Sequence, residues 1–465
     1  MNSKTSSKVL GTFTLAMITM AAVISLRNLS LTAELGISAV FFLCLAAIIF
    51  FIPCALVVAE LASAWPKAGG CYVWVGEAFG KSWAFFTLWL SWMASVAWFP
   101  TILIFTATMF GHMLSPVLPF LEHSNLFIVV CMLGVFWVTT IFNFWGIECS
   151  GWFSSVGVIL GTLIPGVLII FLGLHWVAVG NQTHIPLSID ALTPSFSMDN
   201  LIMFAGVILS LAGVELAAYH IVEAKNPQRS YPRALLLASI LLLIVYILGT
   251  LAIEIVVPAA EISLASGLIQ AFAVFFHNIG LPTLIPLMAA FLLLGALAGI
   301  NAWLIGPAKG MLIVAQDGFL PTWMRKVNQQ GVPTTLLILQ AVVGSILSLL
   351  FMWLKNNNTS IWLLTALTAQ FTCIVYILIF AAAIKLRYSK ANVIRPFKVN
   401  CIWLVAGSGI LASIFGFFIV YAPHTKLVSI EYVFYSVLLI VSLLVLCLPP
   451  FLLIQYRYRS KSNIK

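Results

Sequence analysis

The sequence predicts an all-α membrane protein. It has twelve transmembrane helices, a five-plus-five inverted repeat in which helices 1 and 6 are discontinuous, plus two extra helices. Three observations lead there. Of the 465 residues, 62% are hydrophobic and 8% charged, about a third of the charged share of an ordinary soluble domain. The apolar residues come in continuous runs long enough for a ~30 Å hydrocarbon core, not in alternating stretches, which excludes a β-barrel. One run, LIMFAGVILSLAGVELAAYHIVEA at 201–224, carries Gly213 and Glu215 in its middle. A carboxylate there costs about 2.5–3.5 kcal/mol on insertion scales and needs a partner, a proton or water.

The spans follow in order at 9–29, 35–63, 81–114, 125–146, 152–179, 198–224, 232–257, 283–315, 333–354, 359–385, 401–422 and 430–455. The first lacks a small-residue cleavage site and is read as an uncleaved span, not a signal peptide. The third and eighth are long enough to be tilted. Of the 22 lysines and arginines, nineteen fall at one side of this arrangement, Lys355 and Lys426 at the other, and Arg27 within the first span. Positive charge marks the cytoplasmic side, so both termini lie in the cytoplasm and the spans are even in number. The chain is therefore a multi-pass protein of the plasma (inner) membrane. The net charge of +9 is an insertion signal and a contact for anionic lipid, not a nucleic-acid footprint. The connection at 258–281 is read as short surface helices on the outer side.

Spans one to five and six to ten start from opposite sides, because five is odd. A second copy must be inverted, as in many transporters with a broken helix at the matching place in each half. The predicted divisions are a first repeat at 1–179, a second at 180–385, and spans eleven and twelve with a short tail at 386–465. In span six, Gly213 weakens the helix beside the carboxylate. Broken backbone at membrane depth is tolerated where it lines a cavity. The expected halves are 198–211 and 214–224. In span one the break is expected at Ala21, Ala22, Val23 and Ile24, with Ser25, Arg27 and Asn28 just beyond. Arg27 is open to two readings: it snorkels to the outer interface, or it lines an outer vestibule and attracts a carboxylate.

The eight cysteines and seven histidines form no metal-ligand spacing, and no cofactor is expected. His220 in span six is read either as an interfacial polar residue or as a group that titrates near neutrality. Gly157 and Gly161 in span five read as helix packing. Trp89 and Trp92 in span three are expected on a cavity wall with Trp303.

The stretch GVELAAYHIVEAKNPQRSYPRALLLAS at 213–239 resembles the sixth-span signature of the amino acid–polyamine–organocation superfamily. So does ELASAWPKAGGCYVWVGEAFG at 60–80. The runs VVPAAEISLASGLIQAF at 256–272 and LLLGALAGINAWLIGPAKGMLIVAQDGFLPTWMRKVNQQGVPTTL at 292–336 are similar to the glutamate/γ-aminobutyrate antiporter family. The resemblance covers about residues 10–455. It implies alternating access around a site between spans one, three, six, eight and ten, and amino acids or their decarboxylation products as substrates. It implies that Trp303 gates the site and that Glu215 takes part in a proton response. Ala21-Ala22-Val23 stands where most members have a Gly-Ser-Gly type break. Gly299 stands where the glutamate/γ-aminobutyrate exchanger has an acidic residue, and Ser155 where several relatives have a lysine.

A zwitterion needs donors for its carboxylate and carbonyls for its amine, and broken helix ends offer both. The candidate substrate-binding residues are Ala21, Ala22, Val23, Ile24, Ser25, Ala212, Gly213, Val214, Glu215, Gly299 and Trp303. Glu215 is either a proton carrier or a structural hydrogen-bonding group. The reading is a secondary active transporter of amino acids or their decarboxylated amines, not an enzyme, whose partners are its small-molecule substrate and the lipid bilayer. The alternative is a nutrient sensor that keeps a transporter fold without net transport.

Overall fold

The computed structural model describes residues 11–185, 194–223, 225–352, 357–424 and 431–462. Among them there is no strand. The helices are α1 Thr12–Val23, α2 Arg27–Ala33, α3 Ser38–Ala46, α4 Ile52–Ala64, α5 Cys71–Phe79, α6 Lys81–Leu114, α7 Asn125–Phe142, α8 Ile147–Val158 and α9 Ile164–Ala178. After them come α10 Met198–Ser210, α11 Pro227–Val256, α12 Gly267–Asn278, α13 Ile285–Gln316, α14 Thr334–Met352, α15 Asn357–Ser389, α16 Ile402–Ile419 and α17 Tyr432–Ser462.

Nine helical segments among the described residues are long and apolar enough to cross a membrane. The pair α1 and α2, bent by 44°, makes a tenth. The shorter apolar helices Met198–Ser210 and Thr334–Leu349 stand where spans six and nine are expected. The outer connection holds α12, as expected for 258–281.

Burial follows position in the bundle. The central window of Lys81–Leu114 is 83% buried, whereas that of Tyr432–Arg457 is 11% buried. The first is therefore the inner helix of the bundle, with α13 and α15 packed on it, and the second presents its apolar side chains to lipid. Two one-turn π-helices, Ala47–Phe51 and Ile159–Leu163, interrupt the spans that contain α3–α4 and α8–α9. Each is followed closely by a proline, Pro53 or Pro165, which has no N–H to give the preceding turn.

Spans five and eight meet backbone to backbone. A Cβ on Gly161 would lie 2.0 Å from the Gly295 nitrogen, and one on Gly157 2.6 Å from the Ala298 side chain. The small residues of span five therefore serve packing, as the sequence suggests.

The lysine- and arginine-rich end is tied by buried ion pairs. Glu60 on α4 accepts from Arg387 on α15 and from the Val399 amide at 2.7 Å, with Arg395 at 3.2 Å. Three donors on one buried carboxylate satisfy it where a lone charge would be costly. The guanidinium of Arg395 also lies over the Trp65 ring.

Candidate functional site

The first break needs no glycine. α1 ends at Val23, and Ile24 takes an ordinary extended conformation, φ −88° and ψ 103°. Its amide still bonds to the Met20 carbonyl, after which α2 starts in a new direction. The second break is different. α10 ends at Ser210, and Gly213 has φ +113°, a conformation that side chains resist. The chain then continues as a 3-10 helix at Leu216–Glu223, tighter than the α-helical half expected at 214–224.

The breaks touch through Trp303 on α13. Its indole N–H donates to the Ala22 carbonyl at 2.9 Å. A Cβ on Gly213 would lie 3.2 Å from that same oxygen and 3.2 Å from the Trp303 ring. A Cβ on Gly299 would lie 3.4 Å from the Ala21 carbonyl. Small residues at 213 and 299 thus allow spans one, six and eight to converge.

One amide at each kink is bonded by a tyrosine from another span. The Ser25 N–H donates to the Tyr246 hydroxyl at 3.1 Å, as does Asn28 Nδ2 at 3.1 Å. The Gly213 N–H donates to the Tyr376 hydroxyl at 2.8 Å, and that hydroxyl donates in turn to Glu215. Tyr231 donates to the Val214 carbonyl at 2.9 Å.

Two small adjoining cavities, of about 20 and 40 Å³, lie beside the breaks. Ala21, Ala22, Ile24, Ser25, Arg27 and Gly299 line the first. Ala22, Val23, Ser25, Arg27, Ala212 and Trp303 line the second. Gly213, Val214 and Glu215 line neither; they form the layer behind. Arg27 is 7% exposed and faces both cavities.

Several lining residues escape sequence reasoning. Trp98 faces both cavities and packs against Trp303, ring centroids 5.4 Å apart. The tryptophans expected there point elsewhere: Trp89 donates to the Leu446 carbonyl and Trp92 to Gln340. Thr365, Thr368 and Thr372 of α15 also line the larger cavity. Their spacing of three and four places them on one helix face, a signal readable in TALTAQFT. Ser155 bonds its own helix through the Gly151 carbonyl, while Ser154 accepts from Asn301. The side chain of His220 lies outside the described residues.

Between the cavities and the basic end, side chains of several spans meet at Tyr219. The Tyr219 hydroxyl sits 3.2 Å from Cys71 Sγ and 3.4 Å from Ser91 Oγ. A Cβ on Gly310 would come within 3.0 Å of the Tyr219 ring. Further out, the Tyr72 hydroxyl donates to Asp317 at 2.5 Å, and Lys81 pairs with the same carboxylate at 3.0 Å. Partial burial alone would raise the Asp317 pKa. The hydrogen bonds from Tyr72 and Lys81, with the charges of Lys81 and Arg457, outweigh it and hold the group below its ordinary value.

The family model described as "Amino acid permease" matches residues 10–443. An uncharacterized transporter of Legionella pneumophila is 41% identical over 91% of this chain and 91% of its own. A glutamate/gamma-aminobutyrate antiporter of Lactococcus lactis is 31% identical over 90% of this chain and 84% of its own. A probable agmatine/putrescine antiporter of the same species is 23% identical over 79% and 77%. Among solved structures, MhsT in complex with L-phenylalanine has TM-score 0.65 at 13% identity, covering 87% of this chain and 97% of that one. This last likeness shows a shared fold.

Proposed function

The chain belongs to the amino acid permease family, and from that premise we propose how it works as a secondary transporter of amino acids or amines. It works by alternating access around the convergence of Ala21–Ser25, Ala212–Glu215, Gly299 and Trp303. The observation that carries the reading is the meeting of two broken spans at Trp303, whose ring closes one wall of the larger cavity. Irregular backbone at membrane depth is tolerated where it serves a cavity, and transporter sites are built this way.

Trp303 is the gate in this proposal and Glu215 the proton-coupling group, an ionisable side chain kept inside the membrane for function. The charge asymmetry of the chain supports an inner (plasma) membrane orientation with both termini in the cytoplasm. In that orientation the seal at Tyr219 and Tyr72 closes the cytoplasmic side. The inverted repeat is placed at 1–179 and 180–385, with 386–465 outside it. The names of two relatives support exchange as the mode of transport.

The test is counterflow into liposomes holding the purified protein, loaded with unlabelled amino acid and offered the labelled one. Accumulation against the label gradient is the expected result. Ligand-induced thermal stabilisation without any counterflow would instead indicate a sensor that has kept a transporter fold.

A further inference from the structure

We infer that the substrate carries a carboxylate and that this group docks on the Arg27 guanidinium, so amines without a carboxylate are excluded. The inference deepens the transport reading and rests on it for the location of the site. Arg27 is buried, faces both cavities, and has an Nε with no hydrogen-bond partner among the described residues. Its Nη2 donates to the neutral Asn28 side chain at 3.2 Å. Among the described lining residues it is the one charged side chain. Glu215, the carboxylate of span six, lines neither cavity and is held by Tyr376. A guanidinium taken out of water without a counter-ion is costly, and it persists where its partner arrives from outside.

Two of the backbone amides at the kinks are already taken. Bare backbone amides could hold a carboxylate, but the Ser25 amide is bonded by Tyr246 and the Gly213 amide by Tyr376. The planar fork of Arg27 supplies directed donors matched to a carboxylate in their stead. The rest of the larger cavity offers the hydroxyls of Ser210, Thr365, Thr368 and Thr372. These neutral groups suit an amine and a short polar chain, and none repels a second carboxylate.

Pairs of compounds that differ by one carboxylate test this: arginine against agmatine, ornithine against putrescine. Glutamate and γ-aminobutyrate serve as carboxylate-bearing probes. Thermal-shift titration of the purified protein is expected to show stabilisation by carboxylate-bearing members and none by agmatine or putrescine. Arg27→Gln is expected to weaken that response about ten- to a hundredfold, the loss of a charge-assisted hydrogen bond. Arg27→Lys keeps the charge without the fork and is expected to fall between. Ligand-free Arg27→Gln should melt no lower than wild type, because a buried cation with no ion-pair partner among the described residues has been removed.

Equal stabilisation by agmatine and arginine overturns the inference. So does an unchanged affinity in Arg27→Gln, or a panel in which no carboxylate-bearing compound binds. Counterflow on the same panel separates the two claims. Carboxylate-selective binding without counterflow would support the anchor and sink the transport reading.

Discussion

The two breaks solve one problem in different ways. In span six the chain passes through φ +113° at Gly213, where a side chain would strain the backbone and press on Ala22 and Trp303. In span one it turns through Ile24 with φ −88°, a value open to any residue. A membrane helix can therefore be broken without glycine, provided the path stays on the extended side of conformational space. What both breaks share is a tyrosine from another span that takes the kink amide: Tyr246 for Ser25, Tyr376 for Gly213. The glycine answers a local conformational demand, and the tyrosine answers the demand of an amide at membrane depth.

This contrast can be broken or sharpened by substitution. The largest effect is expected from Gly213→Leu. The strain of positive φ, about 1–3 kcal/mol, adds to a clash with Ala22 and Trp303. Counterflow should be lost while the protein still reaches the membrane, as read by fluorescence-detected gel filtration; uptake at normal affinity would show that the span-six kink does not matter. Next is Trp303→Ala, which cuts the link to Ala22. Tenfold weaker apparent affinity, or leak of preloaded solute, is expected.

Tyr376→Phe should cost more than Tyr246→Phe, because it strands a carboxylate as well as an amide. Hydrogen bonds to charged groups contribute about 1.5–3 kcal/mol and neutral ones about 0.5–1.5. Equal melting temperatures in the two variants would refute that ordering. Glu215→Gln keeps an acceptor for Tyr376 and removes the ionisable group. Transport is then expected to lose its pH dependence, and an unaltered pH profile would rule out a coupling role. The smallest effect is expected at Ile24→Gly, at most about 1 kcal/mol of lost stability from added chain entropy. A larger loss would mean that the first break depends on its side chain.

Sequence and structure agree best where composition speaks alone. The long apolar runs mark the spans to within a few residues, and Gly213 beside Glu215 marks the second break. The first break is harder to read, since Ala21–Ser25 contains nothing that an ordinary helix would avoid. The tyrosine bonds are not readable at all: Tyr246 and Tyr376 sit inside uniform apolar runs, and which kink each reaches depends on how distant spans pack. The same limit misplaced the cavity tryptophan. Trp89, Trp92 and Trp98 point at different angles around one helix, and only packing decides that Trp98 meets Trp303. Arg27 is visible as an anomaly in the sequence, but that its Nε has no hydrogen-bond partner among the described residues is a three-dimensional fact.

Where Gly161 and Gly295 meet, two main chains touch with no padding between them. Sliding one of these rods lengthwise past the other would drive peptide groups into each other. Tilting about that contact would not. The seam is thus suited to act as a fulcrum, with the mouths of the bundle swinging at the ends of its lever arms.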